Sequence, residues 1–147
     1  MTAPAIRPAV AVDHPHLLAL WLASVRATHV FLAEDDVQAL VPVVRDIVLP
    51  GLEIWVLEFA PGAPAGFMGL DGAAVEALFV APDHFRKGVG KMLLAHARGL
   101  KGALSVDVNE QNPQALAFYL HCGFVQVGRS ALDAAGRPFP ILHLREA

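Results

Sequence analysis

The sequence predicts an α/β (α+β) fold, a single domain in which helices flank a mixed sheet. Three observations predict it. Runs of strand-forming residues occur between helical apolar patterns, Gly- and Pro-containing turns separate them, and the 147 residues suffice for one domain with a sizeable core. Hydrophobic residues make up 55% of the chain and charged residues 17%, which excludes disordered and fibrous classes. We expect one domain over residues 1–147.

Seven strands are predicted from β-branched and aromatic residues bounded by turn residues. They cover residues 5–10, 52–59, 65–70, 74–80, 104–108, 124–130 and 138–144. Asp71-Gly72 is a hairpin signal, and the segment 133–136 closes a last hairpin. Around strand 104–108, the polar residues Ser105, Asp107 and Asn109 alternate with apolar ones and therefore share a face.

Four helices are predicted from apolar periodicity. The first runs from an N-cap at Asp13 to His29, and the second covers 35–49 with a bend near Pro42. The third begins at Val89, and the fourth lies between residues 112 and 123. One side of the first helix carries Leu17, Leu20, Trp21, Ser24, Val25 and Thr28. One side of the third carries Val89, Met92, Leu93, Ala97 and Leu100.

The net charge and the number of cysteines indicate which kinds of binding partner and which cellular compartment to expect. The net charge of −3 gives no support for nucleic acid or an anionic membrane as the main partner. A single cysteine, Cys122, excludes an internal disulfide framework and suits a reducing cytoplasm. We see no signal-peptide pattern and no apolar run long enough to span a bilayer, so we expect a cytoplasmic protein.

The turn between strand 74–80 and the third helix is a candidate phosphate site. Gly88 and Gly90 let the backbone approach a ligand, and a helix start presents unpaired N–H groups and positive dipole charge. Pyrophosphate suits such a site. Three basic residues add charge there: Arg86, Lys87 and Lys91. The alternative is a plain strand-to-helix turn with a solvated basic face. Neither a Walker loop nor the third glycine of a dinucleotide fingerprint is present.

The fourth helix carries the only tyrosine, Tyr119, on its apolar face. Asn112 followed by Pro113 predicts the helix start, and Gly123 predicts a left-handed C-cap. The face also contains Ala115, Phe118 and Cys122. We expect the Tyr119 hydroxyl to meet a specific group, the alternative being a core tyrosine with a satisfied hydroxyl.

These two segments together resemble the GNAT-type N-acetyltransferases, which use acetyl-CoA. The family's phosphate signature is Gln or Arg, two residues, Gly, one residue, then Gly or Ala. Window 85–90 matches it except that Phe85 replaces the polar side chain. The second signature, Asn-x-x-Ala-x-x-Phe-Tyr-x-x-x-Gly-Phe, is matched by Asn112, Ala115, Phe118, Tyr119, Gly123 and Phe124. Residues 21–32, 109–112 and 128–144 also resemble one bacterial subgroup, so the likeness covers nearly the whole chain.

The resemblance implies a mostly antiparallel sheet in which the two parallel strands around the third helix splay apart to admit the pantetheine arm. It also implies the residues that bind acetyl-CoA. Backbone groups of Leu78, Phe79 and Val80 are expected to hold the thioester and pantetheine, with Asn112 as a further contact. The pyrophosphate is expected on Arg86, Lys87, Gly88, Val89, Gly90 and Lys91. Because Phe85 departs from the signature, the side-chain contribution at that position is lost.

The chemistry that the resemblance implies is attack of a neutral amine on the thioester carbonyl. Tyr119 is the expected acid for the leaving thiolate, because a phenol is protonated at neutral pH. Three sources remain open for the base: Glu76, His29 or a chain of waters. Glu76 is alternatively a solvent-facing strand carboxylate. Trp21, His29 and Asn109 are the candidate acceptor-binding residues, with core packing as the alternative for Trp21.

The sequence therefore predicts an acetyl-CoA-dependent N-acetyltransferase acting on a primary amine of a small molecule or a peptide. The alternative is a non-catalytic acyl-CoA sensor or interaction module on the same fold. The seven histidines show no ligand spacing, so we expect no metal. We expect a monomer or a homodimer that uses neither nucleic acid nor a membrane as a partner.

Overall fold

A computed structural model describes residues 3–146 of the chain. One seven-stranded sheet organises it, in the order β1-β2-β3-β4-β5-β7-β6. The strands are β1 (Ala5–Pro8), β2 (Glu53–Ala60), β3 (Ala63–Asp71), β4 (Ala74–Val80), β5 (Ser105–Asn109), β6 (Phe124–Ser130) and β7 (Ile141–Glu146). All neighbours are antiparallel except β4 and β5. The predicted mixed, mostly antiparallel sheet is therefore confirmed.

The helices are α1 (His14–Thr28), α2 (Glu34–Val43), α3 (Leu49–Gly51), α4 (Val89–Lys101) and α5 (Pro113–His121). A π-helical stretch, Val44–Val48, joins α2 to α3, so the predicted second helix continues past its proline with a local change of winding. Such π turns relax the hydrogen-bond ladder that the Pro42 ring interrupts.

The sheet separates two hydrophobic cores. The first contains α4, α5 and one face of the strands, and we call that side the cofactor-side face, after the acetyl-CoA contacts expected from the sequence. The second contains α1, α2 and the other face, which we call the acceptor-side face, after the expected role of His29. Phe67 and Phe79 point into the second core, whereas their neighbours Met68 and Leu78 belong to the first. This alternation follows from the period of two along a strand.

Three predictions about these elements were wrong in detail. Asp13 does not cap α1, because its carboxylate accepts hydrogen bonds from Arg7 and from the Val10 amide. On α4, Leu94 is buried whereas Leu100 is 47% exposed, so the apolar face is rotated slightly from the predicted one. The last strand begins at Ile141, since the prolines before it lack the N–H that a ladder needs.

Candidate active site

The turn before α4 has a left-handed backbone and leads into a helix start without a side-chain cap. Arg86 and Gly88 both adopt left-handed conformations, with φ of 66° and 78°. Gly88 is the N-cap of α4, and no side chain caps this 13-residue helix. The first intrahelical bond runs from the Met92 amide to the Gly88 carbonyl at 3.0 Å, so the amides before Met92 keep free N–H groups. Open space surrounds Gly88, where a Cβ would meet nothing within 4 Å.

Gly90, predicted to let the backbone approach a ligand, also has a packing role. A Cβ at this position would lie 2.9 Å from Cζ of Phe118, so the absence of a side chain lets α5 pack closely on α4. Gly90 therefore positions the helix that carries Tyr119. Phe85, at the departure from the family signature, is 37% exposed beside the turn.

The parallel strands beside this turn separate after two residue pairs. Ala74 pairs with Ser105 and Val75 with Val106, and there the β4–β5 ladder ends. The edge of β4 that faces β5 therefore carries unpaired backbone from residue 76 to residue 80. Leu78 and Val80 pack against the core on the cofactor-side face, and Phe79 packs on the other. The predicted splay of the strands is confirmed, and it opens the sheet next to the turn before α4.

Tyr119 is buried in the core that also contacts the unpaired end of β4. Its side chain is 7% exposed and its ring contacts Phe118 and Phe124 edge-on, with centroids 5.1 and 5.4 Å away. Burial raises the pKa of the phenol, and the neighbouring Cys122 thiol raises it further. The hydroxyl is therefore a proton donor at every physiological pH. Asn112, 6% exposed, caps α5 by accepting from the Ala115 amide at 3.1 Å, as predicted.

Glu76 is an extra residue in β4. Gly69 pairs with Ala77 and Leu70 with Val75, which leaves Glu76 as a β-bulge where β4 and β5 separate. The residue is exposed, as the alternative of a solvent-facing carboxylate predicted. The desolvation that its carboxyl still experiences raises the pKa of Glu76, and the negative charges of Asp107 and Asp71 raise it further. A raised pKa makes a carboxylate a better proton acceptor than an ordinary surface Glu.

An aromatic wall lies on the acceptor-side face next to β4. The His29 ring lies 5.4 Å from the Phe31 ring and 6.4 Å from the Phe79 ring. Phe139, from the β6–β7 connection, lies 6.3 Å from Phe31. Burial lowers the pKa of His29, and its Nδ1 lies 2.8 Å from the Thr28 hydroxyl, so the ring is neutral at physiological pH.

The other predicted acceptor-binding residues lie apart from this wall. Trp21 is 4% exposed and packs within the core beneath α1, so it offers an acceptor little surface. Asn109 is half-buried at the end of β5, where its Oδ1 accepts from the Gln111 amide at 2.9 Å. The structure thus brings His29 to the β4 edge and assigns Trp21 to packing and Asn109 to a turn.

Residues that sequence reasoning missed lie on the same face. Phe139 is one, and a hydrogen-bonded group of Asp107, His143 and Ser130 is another. The alternation along β5 placed Asp107 on one face, but no pattern in the sequence paired it with His143. Within residues 3–146, no group of three or more His, Cys, Asp or Glu is arranged to hold a metal ion. No helix in that range has the length and apolarity needed to cross a bilayer.

Comparisons with known proteins agree with this geometry. A family profile described as an acetyltransferase (GNAT) domain matches residues 50–126. The chain is 44% identical over 128 residues to the peptidyl-lysine N-acetyltransferase YjaB of Salmonella typhimurium, covering 87% of this chain and 88% of that protein. This protein therefore belongs to the GNAT acetyltransferase family and is an N-acetyltransferase.

Two solved structures place the fold within that family. The solution structure of apo YjaB from Escherichia coli superposes with a TM-score of 0.92 at 39% identity, over 99% of this chain and 98% of that one. The PaiA N-acetyltransferase from Thermoplasma acidophilum, solved in complex with coenzyme A, superposes with a TM-score of 0.76 at 18% identity. The second match covers 98% of each chain and shows likeness of fold.

Proposed function

We propose that this N-acetyltransferase transfers the acetyl group of acetyl-CoA to the ε-amine of a lysine in a protein or peptide, by direct attack on the thioester. One observation carries the proposal. Where β4 and β5 separate, the uncapped start of α4 and the buried Tyr119 lie on one side of the sheet and the aromatic wall lies on the other, with Glu76 at the point of separation. Such a gap lets a cofactor and an acceptor meet from opposite faces.

The residues of the turn fit a pyrophosphate-bearing cofactor. The free amides of Val89, Gly90 and Lys91, together with left-handed Arg86 and Gly88, form a concave donor surface at a positive helix end. Backbone groups of residues 78–80 on the unpaired edge of β4 are suited to pantetheine amides and to the thioester oxygen. Bound acetyl-CoA supplies an activated acyl group, and these residues orient it.

Two side chains are suited to the proton transfers. Glu76, with its raised pKa, accepts a proton from the lysyl ammonium, which frees the nitrogen lone pair. As the new C–N bond forms and the C–S bond breaks, the Tyr119 hydroxyl gives a proton to the sulfur. The nitrogen then loses its second proton, which passes through water to the Tyr119 oxygen, and Glu76 releases its proton to solvent, so both side chains return to their starting states. Neutral His29, whose ring lies 6.4 Å from the Phe79 ring, or a chain of waters is the alternative base. The lysyl acceptor is supported by the similarity to a peptidyl-lysine N-acetyltransferase.

Calorimetry with acetyl-CoA and an assay of CoA release test the two halves of this proposal. We expect micromolar to millimolar binding of acetyl-CoA, and CoA release that depends on a lysine-containing peptide. Absence of binding at millimolar cofactor contradicts the proposed cofactor site. Binding without CoA release across lysyl peptides and small amines contradicts the proposed reaction and favours the acyl-CoA sensor.

A further inference from the structure

A continuous hydrogen-bonded chain crosses three strands on the acceptor-side face. His143 Nδ1 lies 2.7 Å from Asp107 Oδ1, and His143 Nε2 lies 2.7 Å from Ser130 Oγ. The strand register produces this chain, because His143 on β7 pairs with Asp107 on β5 and with Gly128 on β6. When the imidazole is neutral, Nδ1–H donates to the carboxylate and Nε2 accepts from the Ser130 hydroxyl.

The chain begins at the place where the parallel strands separate. Val75–Val106 is the last pair of the β4–β5 ladder, and Glu76 and Asp107 are the next residue on each strand. The two carboxylates are close enough for the charge of Asp107 to contribute to the raised pKa of Glu76, after the larger effect of burial. Asp107 therefore flanks the gap opposite the residue proposed as base.

A catalytic triad has the same order of hydrogen-bonded groups as Asp107, His143 and Ser130. The two arrangements differ in how far the carboxylate is buried. In a triad the carboxylate is buried and orients the histidine. Here the side chain of Asp107 is 60% exposed and that of His143 is 37% exposed. The exposed member is the carboxylate at the gap, and the better-covered members lie behind it. The arrangement is thus suited to holding Asp107 in place for a ligand.

We propose that Asp107 is a second carboxylate that binds the ammonium group of the acceptor lysine, and that His143 and Ser130 are positioning residues that fix its orientation. This inference rests on the proposed lysyl acceptor. Only Oδ1 of Asp107 bonds to His143, and within residues 3–146 Oδ2 has no hydrogen bond and can accept from an ammonium. Lysine is charged at neutral pH, so it must bind as a cation before Glu76 removes a proton.

Asp107 thus acts mainly on acceptor binding, because extra negative charge favours the ammonium over the neutral amine. The Coulomb attraction between Asp107 and the ammonium is therefore expected to lower the KM for a lysyl peptide and to leave the binding of acetyl-CoA unchanged.

Steady-state assays of CoA release with a lysyl peptide test this inference. Asp107→Asn keeps the shape and a hydrogen bond to His143 but removes the charge. We expect it to raise the peptide KM about fivefold, which corresponds to the free energy of losing one partly exposed ion pair. The kcat should change less, and the affinity for acetyl-CoA should not change. His143→Gln is expected to give a smaller increase in the peptide KM, of about twofold, because Asp107 loses the partner that fixes its orientation. Asp107→Glu should restore part of the binding.

Glu110→Gln is the matched control, because Glu110 is a surface carboxylate that follows the same strand and pairs with Arg129. Salt gives a further readout: the peptide KM of the wild type should rise between 50 and 500 mM NaCl, by Debye screening, more than that of Asp107→Asn. An Asp107→Asn enzyme with the wild-type peptide KM and salt dependence overturns the inference. Failure of the proposed function is distinct, because then the wild type itself releases no CoA with lysyl peptides.

Discussion

The cofactor-side face and the acceptor-side face assemble their functional residues in different ways. On the cofactor-side face, the unpaired edge of β4, the turn before α4 and Tyr119 all come from residues 76–119. On the acceptor-side face, the aromatic wall joins His29 to Phe139 through Phe31, and His143 holds Asp107 at the gap, so these residues come from widely separated segments. Local chain geometry produces the first set, and contacts between distant segments produce the second. The difference teaches that the proposed cofactor site is a local motif, whereas the proposed acceptor site depends on how the whole sheet is assembled.

The sharpest test of the cofactor-side face is Tyr119→Phe, which removes one buried hydroxyl. A positioned general acid accelerates a reaction by about 100-fold or more, so we expect kcat to fall by about that factor when the hydroxyl is removed. Acetyl-CoA affinity by calorimetry should be unchanged, and the melting temperature should not fall, because the hydroxyl makes no hydrogen bond within residues 3–146. Unchanged kcat would remove Tyr119 from the role of acid.

The pH profile of the wild type sharpens the same point. Burial raises the pKa of Tyr119 above that of a free phenol, so loss of its proton should not limit the rate below about pH 10. A fall in kcat beginning near pH 8 would point to a different acid.

Glu76→Gln tests the boundary between the two faces. A general base accelerates a reaction by about 100-fold or more, but water can replace it in part. We therefore expect kcat/KM to fall about 10- to 100-fold. In the wild type, kcat/KM should fall as the pH drops through the raised pKa of Glu76, and this limb should disappear in the variant. Because folding raises this pKa, ionised Glu76 opposes folding at neutral pH, and the variant should be slightly more stable there. Glu110→Gln is the control, and equal activity of both variants would exclude Glu76 as the base.

Sequence reasoning predicted the fold and the cofactor-side face, since both depend on short-range signals. The Gly88 turn, the Asn112 cap and the left-handed Gly123 are each specified by residue type within one turn of chain. The bulge at Glu76 and the Asp107–His143 pair could not be predicted from the sequence. Both depend on strand register, which is determined by packing of the whole sheet. The packing role of Gly90 was not predicted from the sequence, because its partner Phe118 lies on another helix.

Gly90→Ala tests whether the cofactor-side face is a packing unit. The new Cβ would lie 2.9 Å from the Phe118 ring, and such overpacking costs about 1–3 kcal/mol of unfolding free energy. We expect lower stability in urea and a lower kcat, because α5 carries Tyr119. Adding Phe118→Leu removes the clash and should recover part of both losses. Gly99→Ala, at a helix position with open space, is the matched control and should not destabilise. Equal effects of the two alanines would contradict the packing role.

Asp13→Asn tests how the acceptor-side face is attached, with the smallest expected effect. Arg7 binds Asp13 at 2.8 Å and Glu58 at 3.1 Å, which ties the start of α1 to β1 and β2. The Arg7 hydrogen bonds lower the pKa of Asp13 to about 2, against 3.8 for the free side chain. Because the pKa of Asp13 is lower in the folded protein than in the unfolded chain, its ionised carboxylate stabilises the fold above about pH 4. That contribution is lost as the pH falls toward 2.

We expect Asp13→Asn to lower the free energy of unfolding, measured in urea, by about 1–2 kcal/mol at pH 7 and by less at pH 3. Asp46→Asn, which breaks an exposed pair with Arg45, should cost almost nothing. Because α1 carries His29 toward the gap, the peptide KM should rise while acetyl-CoA affinity stays constant. A pH-independent loss of stability would show that the ion pair is not its cause.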